Sequence, residues 1–369
     1  MRQLLSPSSS ITILGAGLLG SLMATSLARQ GHRVRVYEAG GPAGVAAAAH
    51  VAAAMVAPLA ESVVAEAAIV RMGQHALARW PELIAPLPAP VYWQREGTLI
   101  VWHRQDASDA ARLRGLFEHR RAEVPCLPQM QPLDAAGVAA ADPALAGRFA
   151  QGLLLPGEGQ LDNRQLFGAL TLAMQQLGVQ LHYDSPRELA DFSPGAAGGD
   201  CDWLIDCRGL GARTAWPTLR GVRGEVVRIH APEVTLARPT RLIHPRYSIY
   251  VAPKEDHVFV IGATEIESDD RSGMSVRSAL ELLSAAYTIH SGFAEARILE
   301  LNTQCRPTLP DNRPAIRMTQ PRVLEINGMY RHGFMQAPAL HDVALQLLNQ
   351  GQSPLASDFD LALEGPALA

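Results

Sequence analysis

Near the start of the chain, apolar residues come in strand-length runs separated by glycines. Ile11 to Leu14 is one such run; GAGLLG (Gly15, Gly17, Gly20) follows it, and an amphipathic segment then ends at Gln30. After Gly31, Arg33 to Tyr37 alternates as a second strand and closes on Glu38. From Glu61 to Trp80 the apolar positions recur at helical spacing, and the prolines between Pro81 and Pro90 predict that this helix ends in a linker, with a boundary near Pro88. VYWQREGTLIVW (Val91 to Trp102) reads as strand and Asp106 to Arg121 as a charged helix. Gly178 to Tyr183 and Trp203 to Asp206 read as strands, the second running into CRGLGAR. Between Gly224 and Gly262 the pattern is of alternating strands rich in Val, Ile and Tyr, with Lys254 to His257 as a hairpin turn. A helix is predicted over Val276 to His290, and Val323 to Gln350 returns to strand, glycine loop (Gly328, Gly333) and helix.

The opening pattern of strand, glycine turn, helix, strand and acid has a chemical reading. When a dinucleotide binds such a unit, Gly15 makes the tight turn, Gly17 lets the backbone approach the pyrophosphate, and Gly20 lets helix and strand pack closely. The helix start at Leu18 and Leu19 presents unpaired N–H groups to phosphate, and Glu38 is placed to accept hydrogen bonds from the ribose hydroxyls. That acid disfavours a 2′-phosphate. Gly209 and Gly211 again suggest backbone close to a ligand.

At 369 residues the chain exceeds the size of one typical core, and parallel-type segments alternate with antiparallel-type ones. The expected fold is α/β: a Rossmann-like nucleotide domain (1–88, 149–218, 302–369) interleaved with a smaller α+β substrate domain (89–148, 219–301) holding a mixed or antiparallel sheet. A net charge of −4 gives no electrostatic footprint for nucleic acid or an anionic membrane, so small-molecule chemistry is expected. The run from Gly44 to Ala60 is mostly alanine, interrupted by His50 and Pro58, and too weakly apolar for stable membrane insertion. MRQLLSPSSS lacks the apolar stretch of a signal peptide. The four cysteines have neither CxxC spacing nor scaffold density, and most of the histidines lack i, i+4 pairs. No metal site is expected, and a reducing cytoplasm fits.

Four patches carry a family resemblance: GAGLLG with Glu38; AAAAHVAAAMVAPLAE (Ala46 to Glu61); YVAPKEDHVFVIGATEIESDD (Tyr250 to Asp270) with CRPTLPDNRPAI (Cys305 to Ile316); and GMYRHGFMQAP (Gly328 to Pro338). In this order they resemble the FAD-dependent amine oxidases of the D-amino acid oxidase family, most closely its bacterial glycine oxidases of thiamine biosynthesis. The resemblance implies a GR2-type FAD domain and oxidative deamination of glycine, sarcosine or a small D-amino acid. The products would be the 2-oxo acid (glyoxylate from glycine), ammonia or amine, and H2O2, with O2 as acceptor. It implies Arg306 as the carboxylate clamp, with Tyr250 adding a phenol and Arg331 at the active-site mouth or against the flavin. A guanidinium suits that task because its planar, paired donors match a carboxylate. Glu265 and His332 fall in the substrate pocket. Ala49, Met55, Val179, Gly333, Phe334 and Met335 fall at the cofactor, with Val179 backbone at the adenine and the Gly333 to Met335 N–H groups at the flavin. Three positions depart from the family pattern: Ala49 stands for Ser or Thr, Ala54 for Gly, and His332 for Asn.

Cys305 is poorly spaced for covalent flavin attachment, so non-covalent FAD is expected, in a homo-oligomer. Two other readings stay open at this point: a D-amino acid dehydrogenase passing electrons to a quinone or carrier, and a non-catalytic flavoprotein subunit.

Overall fold

The computed structural model describes residues 4–196, 198–244 and 248–365. Its first sheet has seven strands with Ser10–Leu14 inside it, paired in parallel with Arg33–Tyr37 on one side and Trp203–Asp206 on the other. Gln180–His182 extends the sheet beyond the first neighbour and Val323–Asn327 beyond the second, both in parallel. Ala315–Gln320 then adds antiparallel, with Ala362–Glu364 at the edge. Helices Leu18–Arg29 and Gly333–Gln350 cover it through Leu19, Met23, Leu27, Leu340 and Val343. Burial explains why Ser10–Leu14, Trp203–Asp206 and Val323–Asn327 are nearly all buried and largely apolar, whereas Arg33–Tyr37 and Gln180–His182, toward the edge of the sheet, alternate.

The second sheet has eight strands, in the order Arg297–Thr308, Arg220–His230, Val258–Gly262, Ser248–Pro253, Thr240–Ile243, Thr98–Trp102, Gln151–Leu155, Gln131–Asp134. Neighbours are antiparallel except Thr240–Ile243 with Thr98–Trp102. Period-two alternation divides its faces. Val227, Ile229, Val251, Phe259 and Ile261 pack with Leu282, Ala285 and Ile289 of the helix Val276–Ile289. The intervening Val226, Ala252 and Val260 pack with Val51 and Ala53 of the alanine-rich segment. That second face carries the site.

Several predicted elements shift. The helix expected over Glu61 to Trp80 is two helices, Pro58–Glu61 and Ala67–Ile84. The second runs through Pro81, and the Ala85 N–H still reaches the Pro81 carbonyl at 3.0 Å. The proline linker therefore starts after Ile84. Val91 to Trp102 splits into Trp93–Gln94 and Thr98–Trp102 at Gly97, which takes φ +82°. Residues 245–247 of the expected strand region lie outside the described residues. The strands Gln151–Leu155 and Arg297–Thr308 both belong to the eight-stranded sheet, so the expected boundaries at 148 and 301 cut across it. We propose that the domain boundaries fall instead at Pro156 and after Thr308. Among the described residues, no helix is long and apolar enough to cross a membrane.

The alanine-rich segment has almost no side chain with which to hold itself. Its carbonyls are bound from outside: Gln304 donates to Ala46 (2.9 Å), Asn163 to Ala49 (2.9 Å) and to His50 (2.7 Å), and Lys254 to Ala53 (2.9 Å). Lys254 also donates to Leu161 and to Gln160 Oε1. Ala54, where the family pattern has Gly, holds φ +54°, so the left-handed turn is kept at a cost of about 1 kcal/mol.

Burial pushes Lys254 down to about 7. Its unfolded value is about 10.4, so between these limits the unfolded chain binds more protons and stability rises with pH. The stability contributed by Lys254 is complete above the unfolded pKa and is lost as pH falls through the folded one. Denaturant titrations of wild type and Lys254→Met should therefore diverge in the wild type's favour from pH 7 to pH 10. A constant gap over that window would contradict the assignment.

Candidate active site

Between the two sheets lies a cavity of about 990 Å³ running from Gly15 and Glu38 to Arg306 and Gly333. This is the upper end of the roughly 300–1,000 Å³ usual for small-molecule sites. At its first end, Gly15 has φ +91°, and a Cβ on Gly20 would stand 1.9 Å from the Gly15 carbonyl oxygen. A Cβ on Gly17 would meet nothing nearer than Ala47 at 4.0 Å, so this glycine opens onto the cavity. The helix that begins at Leu18 has no side-chain cap and no acid in its first turn. Its free N–H groups, with Leu18 and Leu19 on the cavity wall, suit an anion such as pyrophosphate.

Glu38 also lines this end. One carboxylate oxygen accepts from Ala16 N–H at 2.7 Å and the other from Gly40 N–H at 2.8 Å. Each keeps a lone pair for a ribose hydroxyl, so the acid organises the glycine turn besides facing the expected sugar. Ala49, Met55, Gly209 and Gly211 line the cavity as well. Val179 does not. It is buried in the core of the seven-stranded sheet, with its N–H on the Met174 carbonyl. The wall at this end comes instead from Pro186, Arg187 and Glu188, which follow the short strand beginning one residue after Val179.

At the other end, register explains which side chains converge. Arg241 pairs with Tyr250, Tyr250 with Gly262, and Gly262 with Val226, a single cross-strand row whose members share one face. Gly224 and Val222 continue that face along their strand, and Arg306 pairs with Val222. Tyr250 lies over Gly262, where a Cβ would stand 2.5 Å from the phenol oxygen. Arg306 lies over Gly224, where a Cβ would stand 2.5 Å from the guanidinium carbon. These two glycines are the seats of the two expected substrate ligands, and neither stood out as such in the sequence.

The Arg306 guanidinium donates to the carbonyls of Arg223 (3.2 Å) and Thr264 (3.0 Å). Among the described residues no carboxylate pairs with it, Asp311 included. Burial works against its charge and lowers its pKa, with the field of Glu265 opposing the shift. Arg331 is differently placed: it donates to Glu265 (2.8 Å) and to Glu61 (2.9 Å). Glu61 also accepts from Arg241 (2.7 Å) and contacts His332 Nε2 (3.1 Å). Burial opposes the charge of Glu61, but Arg241, the His332 hydrogen bond and Arg331 together hold it well below the usual carboxylate range. Tyr330 donates to the second oxygen of Glu265. Glu61, Arg241 and Tyr330 were not singled out from sequence; Glu61 closes one recognised patch and Tyr330 lies inside another.

His332, Gly333, Phe334 and Met335 bring the start of the helix Gly333–Gln350 to the cavity. Trp80 Nε1 fixes this corner by donating to the Phe334 carbonyl at 2.8 Å. This helix too begins without a side-chain cap or first-turn acid. His332 Nδ1 is buried with no hydrogen-bond partner among the described residues. Cys305, on the same wall, has its thiol against the carbonyls of Ser268 and Asp270, and burial raises its pKa.

The glycine turn, two open helix starts and a long cavity fit the expected FAD. Glu38→Ala frees two backbone N–H groups and removes the sugar's acceptor. Fluorescence titration of apoprotein with FAD should show affinity about tenfold weaker or worse, with the fold retained. Unchanged affinity would remove Glu38 from the site.

Comparison with known proteins bears on the family and the fold. The chain is 39% identical over 346 residues to a protein named putative thiamine biosynthesis oxidoreductase ThiO from Rhizobium etli, covering 93% of this chain and 98% of that one. The crystal structure of glycine oxidase from Geobacillus kaustophilus shares the fold with a TM-score of 0.78 at 22% identity, covering 95% of this chain and 98% of that one. Glycine oxidase from Bacillus cereus does so with a TM-score of 0.79 at 20% identity, covering 95% and 97%. Residues 10–344 match the family described as DAO, FAD dependent oxidoreductase, and the chain belongs to that family.

Proposed function

We propose that this FAD-dependent oxidoreductase is an amino acid oxidase acting on glycine or a related small amino acid, such as sarcosine or a small D-amino acid. The products are the 2-oxo acid, glyoxylate from glycine, with ammonia or amine and H2O2, and O2 is the acceptor. The observation that carries this reading is Arg306, a guanidinium on the cavity wall with backbone carbonyls behind it and, among the described residues, no carboxylate partner. The name of the Rhizobium relative supports a place in thiamine biosynthesis. FAD is held non-covalently, in keeping with the thiol of Cys305 turned to two carbonyls. A homo-oligomer in the cytoplasm completes the proposal.

Bound FAD supplies an acceptor for the hydride on the substrate α-carbon. The chain's own residues bind and orient. Arg306 takes the substrate carboxylate through paired N–H donors. Tyr250 donates its phenol proton to the same group; burial pushes its pKa up against the pull of Arg306, so the proton stays. The uncapped helix start at Gly333 and Phe334 offers N–H groups and the positive end of a helix where negative charge would gather. Val226, Met55 and Met335 keep the wall apolar, which strengthens each of these interactions.

Steady-state kinetics with peroxide detection test the assignment. Arg306→Ala should lose about 3 kcal/mol in kcat/KM for amino acids, since a buried charge pair is broken on one side. Tyr250→Phe should lose about 1 kcal/mol, one neutral hydrogen bond. Gly224→Ala, whose methyl displaces the guanidinium from its seat, should raise KM with the protein still folded. Amines without a carboxylate should be poor substrates and lose nothing further in Arg306→Ala. Equal losses for both substrate classes would withdraw the clamp.

A further inference from the structure

The substrate end of the cavity carries three guanidinium groups, Arg241, Arg306 and Arg331, and two carboxylates, Glu61 and Glu265. The ion pairs distribute these charges unevenly. Arg241 is paired with Glu61 at 2.7 Å, and Arg331 with Glu61 at 2.9 Å and Glu265 at 2.8 Å. Arg306 alone of the three has no ion pair among the described residues. Three positive charges against two negative ones leave one positive charge, and the pairing puts it at Arg306. The remaining titratable groups facing this network are Tyr250, Tyr330 and His332. Arg271, Arg277 and Glu281 also line the cavity outside this network; the two arginines are exposed and Glu281 is half-buried, so water weakens their interactions with it.

We propose that Glu265 is a specificity residue that restricts this site to substrates with a single carboxylate, by occupying Arg331 and so denying a second carboxylate its cation. The proposal rests on the amino-acid oxidase reading above. A second carboxylate entering beside Glu265 and Glu61 meets like charge, which disfavours it by orders of magnitude when desolvated. Neutralising Glu265 leaves three cations against Glu61 alone. The site then has two unshared positive charges and suits a dicarboxylate. Glu265 is itself held charged: burial raises its pKa, but the Tyr330 hydrogen bond and Arg331 prevail and keep it below the usual value.

The test compares isosteres that differ in charge and not in size. With holoenzyme, kcat/KM is measured for D-aspartate and D-asparagine in wild type, Glu265→Gln and Glu265→Gln/Arg331→Met. Competitive binding of malonate and of its monoamide is measured in parallel by perturbation of the flavin absorbance. Wild type should favour the monocarboxylate of each pair; Glu265→Gln should shift both ratios toward the dicarboxylate by about tenfold or more, and the double variant should lose that shift. Glycine turnover with both ratios unmoved in Glu265→Gln, or a wild type that already prefers the dicarboxylate, would overturn the filter and leave the oxidase reading standing. A shifted binding ratio without turnover of any amino acid would support the filter and overturn the oxidase reading. No turnover and no shift would overturn both.

Discussion

A guanidinium facing a cavity without a counter-ion is a costly arrangement, and the architecture around Arg306 shows what maintains it. The side chain lies along a sheet whose opposite face is packed by a helix, so the strands beneath it are backed by a second layer. Gly224 gives it room, and two backbone carbonyls take two of its N–H donors without neutralising its charge. The carboxylates closest in the network are committed to Arg241 and Arg331. A bound anion therefore recovers an attraction that the protein itself leaves unused, and in an apolar enclosure that attraction is strong.

The opposite wall depends on a different constraint. Ala46 to Met55 must stay thin so that a long, flat ligand can pass, and thin residues cannot anchor themselves. The fold solves this from outside, through donors on the helix Asn163–Gln176, the strand Arg297–Thr308 and the hairpin at Lys254. Gln304 lies on the eight-stranded sheet and Lys254 in the hairpin after its strand Ser248–Pro253, while Asn163 starts a helix that packs on the helix Leu18–Arg29.

Much of this was legible in the sequence because local rules govern it. The glycine turn, the strand Trp203–Asp206, the helix Val276–Ile289 and the strand–loop–helix at Val323 to Gln350 all follow from periodicity and turn chemistry. Elements with weaker signals were missed: Gln131–Asp134 is mostly exposed, and Arg297–Thr308 mixes polar and apolar residues as an edge strand. The charge network was not legible. Glu61, Arg241, Glu265 and Arg331 come from four separate elements, and only tertiary structure determines which cation each acid occupies. Val179 and the segment Pro186–Glu188 lie within ten residues of each other, and only the path of the chain after Gln180–His182 brings the later one to the cavity.

The most direct test of the central claim is a crystal structure of the FAD-bound protein with glycolate, a carboxylate that mimics glycine without its amine. The glycolate carboxylate should lie within hydrogen-bonding distance of the Arg306 guanidinium and the Tyr250 phenol, its carbon turned toward the Gly333 loop, with Arg331 still paired with Glu265 and Glu61. A carboxylate bound to Arg331 or Arg241, with Arg306 left to its backbone carbonyls, would contradict it.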